Sequence, residues 1–282
     1  CIGGRRLGLL AALLLAMAPG MAEHRVEFML DLPLTGATTL ALFLLYRWQR
    51  PGRIGGRWPQ AIAAAAAITA AILIKQSALL VVALPTLWAG LQALQERKRS
   101  LQLIAGFGIA MVAILPWLQH NWITTLGGTQ RAVITSAAEE GDPGLLQLES
   151  WIWYPRLLPR QIGGLVFGGG IAGWMLHALK PRTRAGHPAT EGLGWLAGTA
   201  VCVLLATSLS PNKDARYIAP LLPLLSLILA RGWLMLLALG TQPWQRAISA
   251  ILLLLASVLS AIDLVRVQWS DIRREPGSPA AD

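Results

Sequence analysis

The feature that most constrains this chain is a series of apolar blocks close to the length a helix needs to cross bilayer hydrocarbon, about 17–25 residues. Nine blocks can be read, at roughly 7–22, 32–49, 59–74, 77–94, 101–117, 161–179, 192–209, 217–238 and 246–263. A lone segment in lipid must satisfy its own backbone hydrogen bonds, so helix is the default. Barrel strands would alternate apolar and polar residues, and these blocks do not. Composition agrees: 55% of residues are hydrophobic, 13% are charged, and the mean hydropathy is +0.54. A soluble domain of this length carries more surface charge. The expected fold is all-α, a polytopic bundle of about nine spans over residues 1–263. Several blocks are short, which predicts tilted or re-entrant segments. One long outer loop, 118–160, is expected to lie at the membrane surface, and 264–282 reads as a polar, flexible tail.

The net charge of +10 raises the possibility of nucleic-acid binding. Its distribution argues against that. With the N-terminus inside, the loops 47–58, 95–100 and 180–191 fall on one side and are short and strongly basic. That is the signature of cytoplasmic loops. The carboxylates gather on the other side, apart from Glu96 and Glu191. The charge is therefore mainly a topology signal, and a plasma membrane with an active outer face is expected. Cys202 lies in an apolar block and Cys1 is terminal, so no disulfide framework is expected. Cys1 could begin a lipoprotein, but Arg5 and Arg6 lead directly into a span rather than a polar tether. The expectation is a fragment lacking its natural N-terminus.

Three outer regions hold unusual residues: 23–33, 118–160 and 210–217. Asp31 stands at a span edge just before Leu32 and Pro33, where a carboxylate caps a helix start or serves a function. Lys75 interrupts a run from Pro59 to Leu94 with no other charge. It reads either as a snorkelling turn residue or as a point charge for phosphate. Lys213, Asp214 and Arg216 crowd the turn before Tyr217. They read as a solvated ion pair or as an anion site in which Arg216 grips phosphate through two bonds. Arg25, Lys75, Lys213 and Arg216 could thus converge on one outer pocket for an anionic headgroup.

In the outer loop, His120, Asn121, Glu140, Asp142, Tyr154 and Arg156 are candidates for an acceptor site. Its tryptophans, Trp117, Trp122, Trp151 and Trp153, also fit an interfacial belt. His24 and His120 with Glu140 or Asp142 lack a metal-ligand spacing, so no metal is expected. The inner His177 and His187 look incidental. Gly168, Gly169 and Gly170 lie in an apolar block with no following Lys-Ser or Lys-Thr, so they form no phosphate loop. No nucleotide-binding element appears and no cofactor is expected.

The segment FMLDLPLTGATTLALFLLYRW resembles the stretch around the second outer Asp of membrane glycosyltransferases that use lipid-linked sugars. These are the protein O-mannosyltransferases, the aminoarabinose transferases of lipid A and their family-39 relatives. ILIKQSALLVVALP resembles their helix ending in Thr-Lys, with Ile74 in place of Thr. PNKDARYIAPLLPLLSLILA resembles their late turn, where a basic residue and Tyr precede a Pro-containing span. PWLQHNW and EEGDP…WIWYPRLLP resemble the outer loop of a bacterial subgroup. Together these cover most of 20–235.

The resemblance implies transfer of a sugar, with inversion, from a polyprenyl-phosphate carrier to an acceptor hydroxyl on a protein, lipid or glycan. Membrane lipids surround the chain, and nucleic acid plays no part. By resemblance, Asp31 shapes the acceptor or phosphate site, and Lys75 and Arg216 line the carrier pocket. The family's acidic pair after its first span has no match here, which places the catalytic base upstream of Cys1. The rival readings are a transporter or flippase, which mid-span charges would favour, and a non-catalytic membrane subunit. Apart from Arg231, the charges fall at span ends.

Overall fold

A computed structural model of the chain describes residues 4–21, 30–50, 57–179 and 192–272, with the backbone alone for 132–133 and 267–272. Among these residues all regular structure is helical. The helices are α1 Gly4–Ala16, α2 Asp31–Gln49, α3 Trp58–Ile74, α4 Ala78–Ala93, α5 Arg97–Gln130, α6 Ser136–Glu139, α7 Leu148–Ile162, α8 Gly164–Leu179, α9 Leu193–Ser208, α10 Leu222–Leu239 and α11 Pro243–Ile272. A π turn, Arg131–Thr135, joins α5 to α6, and a 3-10 turn, Ala215–Leu221, leads into α10.

Each apolar block of the sequence meets a helix, but among the described residues fewer than nine helices are by themselves long and apolar enough to cross a membrane. Three helical stretches, Arg97–Gln130, Ala215–Leu239 and Pro243–Arg266, are long and apolar enough to cross a membrane. A fourth path counts α7 and α8 together, bent by 107°. Trp58–Ile74, Ala78–Ala93 and Leu193–Ser208 are apolar but shorter. At 1.5 Å per residue they reach about 24–26 Å, against about 30 Å of hydrocarbon.

Two further boundaries differ from expectation. α5 does not stop near residue 117 but continues to Gln130, so the first part of the outer loop is helix. The last helix runs to Ile272, so the expected tail boundary at 264 falls inside it; residues 273–282 lie outside the described residues.

The chain forms two compact units. One comprises residues 1–32, 156–194 and 222–282. Lipid tails are as apolar as leucine, so helix packing here depends on close approach rather than on burial from water. Glycine provides it where α8 crosses α10. A Cβ at Gly170 would lie 2.7 Å from Leu229 Cδ2, one at Gly173 would lie 1.9 Å from the Gly232 carbonyl oxygen, and one at Gly232 would lie 1.9 Å from that of Gly170. Trp233 donates to the Val166 carbonyl at 2.9 Å and Trp174 to that of Ile228 at 2.8 Å, locking the crossing. The glycine run of the sequence is therefore a packing surface. Gly173→Leu is expected to prevent this crossing and abolish recovery of monodisperse protein in detergent, because the obstacle is backbone; recovery at wild-type yield would refute the packing role.

Gly163 makes the α7–α8 bend. Its φ is +100°, a left-handed value that favours glycine, and a Cβ there would meet Ser260 Oγ at 2.0 Å. On α7, Ser150, Tyr154, Leu158, Gln161 and Ile162 are buried while Trp151, Pro155 and Arg156 are exposed. That spacing of three and four residues makes one buried helix face.

The second unit comprises residues 33–155 and 195–221. Near one end Leu45, Trp48, Ala61, Ala89 and Ala93 form its core, joined by Ile68, Leu103 and Trp195. A second cluster, Leu34, Ala71 and Ala78, flanks the turn that carries Lys75. Two hydroxyls within these apolar helices bond to their own backbone: Thr38 to the Leu34 carbonyl at 2.8 Å and Thr207 to that of Val203 at 2.8 Å. This satisfies a polar group that lipid or core could not.

Candidate functional site

A cluster of charge drawn from separate parts of the chain lies in the second unit, in the turn between α9 and the 3-10 turn. Two adjacent residues there cap opposite helix ends. The Lys213 ammonium donates to the carbonyls of Ser208 at 2.6 Å and Ser210 at 2.7 Å, at the C-terminus of α9. A cation is favoured at that negative end of the helix dipole. The Asp214 carboxylate accepts the backbone N–H of Arg216 at 2.9 Å, as an N-cap residue does. Arg216 Nε also donates to Asp214 at 2.6 Å, and its Nη2 bonds to the same oxygen. The sequence Lys-Asp-Ala-Arg thus closes one helix and opens the next.

The segment that carries Asp142 is tied to this turn. The Asp142 carboxylate accepts the backbone N–H of Lys213 at 2.7 Å, although 71 residues separate them. Tyr154 is fully buried, and the Lys213 ammonium stands 5.7 Å from its ring centre, a cation–π contact. The Tyr154 hydroxyl is buried and has no hydrogen-bond partner among the described residues. The charges of Tyr217, Asp214 and Asp142 act on it as well.

Lys75 joins from a third place in the chain. It caps the C-terminus of α3 in extended backbone, its N–H donating to the Ala71 carbonyl at 3.2 Å. It is half-buried, and its charge acts on Asp214. Burial alone would raise the Asp214 carboxyl; the side-chain and backbone hydrogen bonds of Arg216, with the charges of Arg216 and Lys75, outweigh it and hold the group below its ordinary value. Burial lowers the Lys213 ammonium, with Asp142 opposing.

A carboxyl lowered on folding stabilises the fold above its unfolded value of about 3.9, and that contribution is lost as pH falls through the lower folded value. Stability measured by thermal melting should therefore decline from about pH 4 downward, and Asp214→Asn should flatten that acid-side slope. An unchanged slope in the variant would contradict the pairing.

The structure thus brings together Lys75, Asp142, Tyr154, Lys213, Asp214, Arg216 and Tyr217. It leaves other expected residues apart. Arg25 lies outside the described residues. His120 and Glu140 are exposed and stand 20 residues apart, with a π turn between them. Asn121 donates to the Trp117 carbonyl at 2.9 Å within the same helix. Arg156 is exposed on α7. Asp31 is buried as the first residue of α2, with 1% exposure. Among the described residues no three His, Cys, Asp or Glu come together as a metal site.

Sequence reasoning missed a polar clamp in the second unit's helices. Trp195 donates to Gln49 Oε1 at 2.8 Å, Gln49 donates to Gln92, and Arg99 donates to the Gln49 carbonyl at 3.4 Å. Trp48 donates to Gln102 at 2.8 Å. Uncharged glutamines at span ends were the available signal.

Residues 2–126 match the protein-family model for dolichyl-phosphate-mannose-protein mannosyltransferase. The glycosyltransferase resemblance carried by the Asp31 and Lys75 segments is thereby supported by an independent comparison. The matched stretch takes in α1 to most of α5, and with it Asp31, Lys75, His120 and Asn121; Asp142, Tyr154, Lys213 and Arg216 lie beyond it. No curated protein and no solved structure matches the chain. Over residues 2–126 the chain is thus similar to a family of membrane mannosyltransferases, and its described residues include helices apolar and long enough to cross a membrane.

Proposed function

We propose that the chain moves a sugar from a polyprenyl-phosphate carrier to an acceptor hydroxyl at the outer face of a bacterial plasma membrane, through several membrane passes, and that the cluster around Asp214 handles the carrier phosphate. The observation that carries this reading is that the charge of Lys75 acts on Asp214, which Arg216 grips, although the two segments lie about 140 residues apart. The family description names dolichyl-phosphate-mannose as donor and protein as acceptor, which makes mannose and a protein hydroxyl the first pair to assay.

In the reaction the bond from the anomeric carbon to the phosphate oxygen breaks and a bond to the acceptor oxygen forms. The acceptor proton passes to a carboxylate base. The electron pair leaves with the carrier phosphate, whose charge needs nearby cations. Lys75 supplies a compact charge and Arg216 a bidentate fork. The fork holds Asp214 in this structure, and phosphate competes for it. Lys213 differs from the expectation that it lines the pocket: its ammonium is committed to carbonyls, so it positions the turn. The buried Tyr154 hydroxyl gains a partner when a phosphate or sugar oxygen arrives. Asp31 has a supporting role near the start of α2.

Arg231 is a mid-span charge, the kind of feature that favours transport. It is half-buried inside α10, eight residues from Leu239. That is about 12 Å along the helix, a distance a long side chain shortens by snorkelling. The test is sugar transfer by the full-length protein carrying Asp31→Ala or Lys75→Ala separately. Each is expected to lose transfer while remaining folded; activity retained by both would overturn the site assignment.

A further inference from the structure

In the unit that contains α1, α8 and α10, the last of these is held in one rotational setting. Gly232 packs against the Gly170 backbone, Trp233 donates to the Val166 carbonyl and Trp174 to that of Ile228. α1 packs on α10 as well. The side of α10 left over carries Leu227, Arg231, Leu234 and Ala238, the first three half-buried and the last exposed. Their spacing of four, three and four residues is that of a seam between two helices. Arg231 stands inside this seam and inside the apolar span Ala215–Leu239.

Nothing described balances the charge there. The Arg231 Nε is buried without a hydrogen-bond partner, and none of the ion pairs among the described residues includes Arg231. A guanidinium stays protonated in proteins, so it does not escape by neutralising as an amine or a carboxyl can. Snorkelling toward Leu239 shortens the path to the headgroups without closing it. Helix side chains lean toward the N-terminus, which for Arg231 is away from that end. A phospholipid phosphate stays at headgroup depth, whereas a carboxylate on a helix sits at whatever depth its sequence sets. The planar fork matches a carboxylate through two parallel bonds.

We propose that this side of α10 is a docking seam for a second membrane protein, one whose spanning helix carries an aspartate or glutamate that pairs with Arg231. Each charge alone is costly in hydrocarbon, and each offsets the other once paired. The seam therefore selects a helix with a carboxylate at that depth. Leu227 and Leu234 add apolar contact on either side of the pair, and the small Ala238 permits close approach at one end. Such docking is independent of the sugar reaction.

The test uses the full chain in phosphatidylcholine liposomes and a synthetic spanning peptide of about twenty leucines and alanines. The peptide carries one central glutamate, or glutamine in its control, and energy transfer between dyes reports association. Wild type is expected to bind the glutamate peptide about tenfold more tightly than the glutamine peptide, the scale of interhelical polar contacts in a bilayer. Arg231→Leu should bind the two alike. It should also raise the melting temperature of the chain alone, because an unbalanced charge is removed. Ala238→Trp, at an exposed position of the seam, should weaken binding of the glutamate peptide and leave the melting temperature unchanged.

Equal binding of the two peptides by wild type would overturn the proposal, as would a glutamate preference surviving in Arg231→Leu. A lower melting temperature in Arg231→Leu would reveal a partner within the chain and overturn it too. So would loss of the preference when phosphatidylglycerol replaces part of the lipid, which would assign Arg231 to a lipid phosphate.

Discussion

Lys75→Gln is expected to lower sugar transfer by about 100-fold or more, the usual effect of removing one group that stabilises a leaving oxyanion. The substitution keeps a polar side chain of similar length and removes the charge. The substitution leaves in place the cap of α3, where the Lys75 backbone N–H meets the Ala71 carbonyl. Lys75→Arg should recover part of the rate, because charge returns with a broader, flatter head. The measurement is kcat and KM for the lipid-linked donor with each variant in proteoliposomes. A loss confined to KM would make Lys75 a binding residue only. Full activity in Lys75→Gln would remove it from the site.

The second large effect is on the fold around the site. Lys213→Ala is expected to destabilise the protein by roughly 3 kcal/mol, since hydrogen bonds to charged groups contribute about 1.5–3 kcal/mol each and the carbonyls they satisfied are left behind. Lys213 is 3% exposed and its ammonium bonds to two carbonyls, so water does not replace it without rearrangement. Asp142 holds the backbone N–H of the same residue, so the outer segment should loosen with the turn. Hydrogen exchange would show this as faster exchange at 208–217 and 140–147 together. Exchange that accelerates in the first segment alone would contradict the coupling. Lys213→Met should be milder, because a long apolar chain keeps the packing on Tyr154.

The helices were legible because lipid demands continuous apolar runs. The block 59–74 became Trp58–Ile74, and 192–209 became Leu193–Ser208. The end of α5 was not legible in this way. After Trp117 the sequence LQHNWITTLGGTQ turns polar and contains paired glycines, so the hydropathy signal stops while the helix continues. Hydropathy reports the solvent around a helix, not its length. Among the site residues, Lys75 stood out because a charge in a long apolar run is costly.

Lys213 and Arg216 looked equivalent in sequence and are not. Capping gives the first to carbonyls and the second to a carboxylate, a distinction that appears only once the turn is folded. The Gln49, Gln92 and Trp195 clamp lay hidden for a related reason. Its members are uncharged and far apart in sequence, and only packing gives them partners.

The most direct test of the transferase account is product analysis with the full-length protein in liposomes, supplied with an acceptor and either polyprenyl-phosphate-linked mannose or a nucleotide sugar. The account predicts mannosylated acceptor and an equal amount of free polyprenyl phosphate from the lipid donor, and no product from the nucleotide sugar. Transfer supported by the nucleotide sugar alone, or no transfer from any lipid-linked sugar by folded protein, would contradict it.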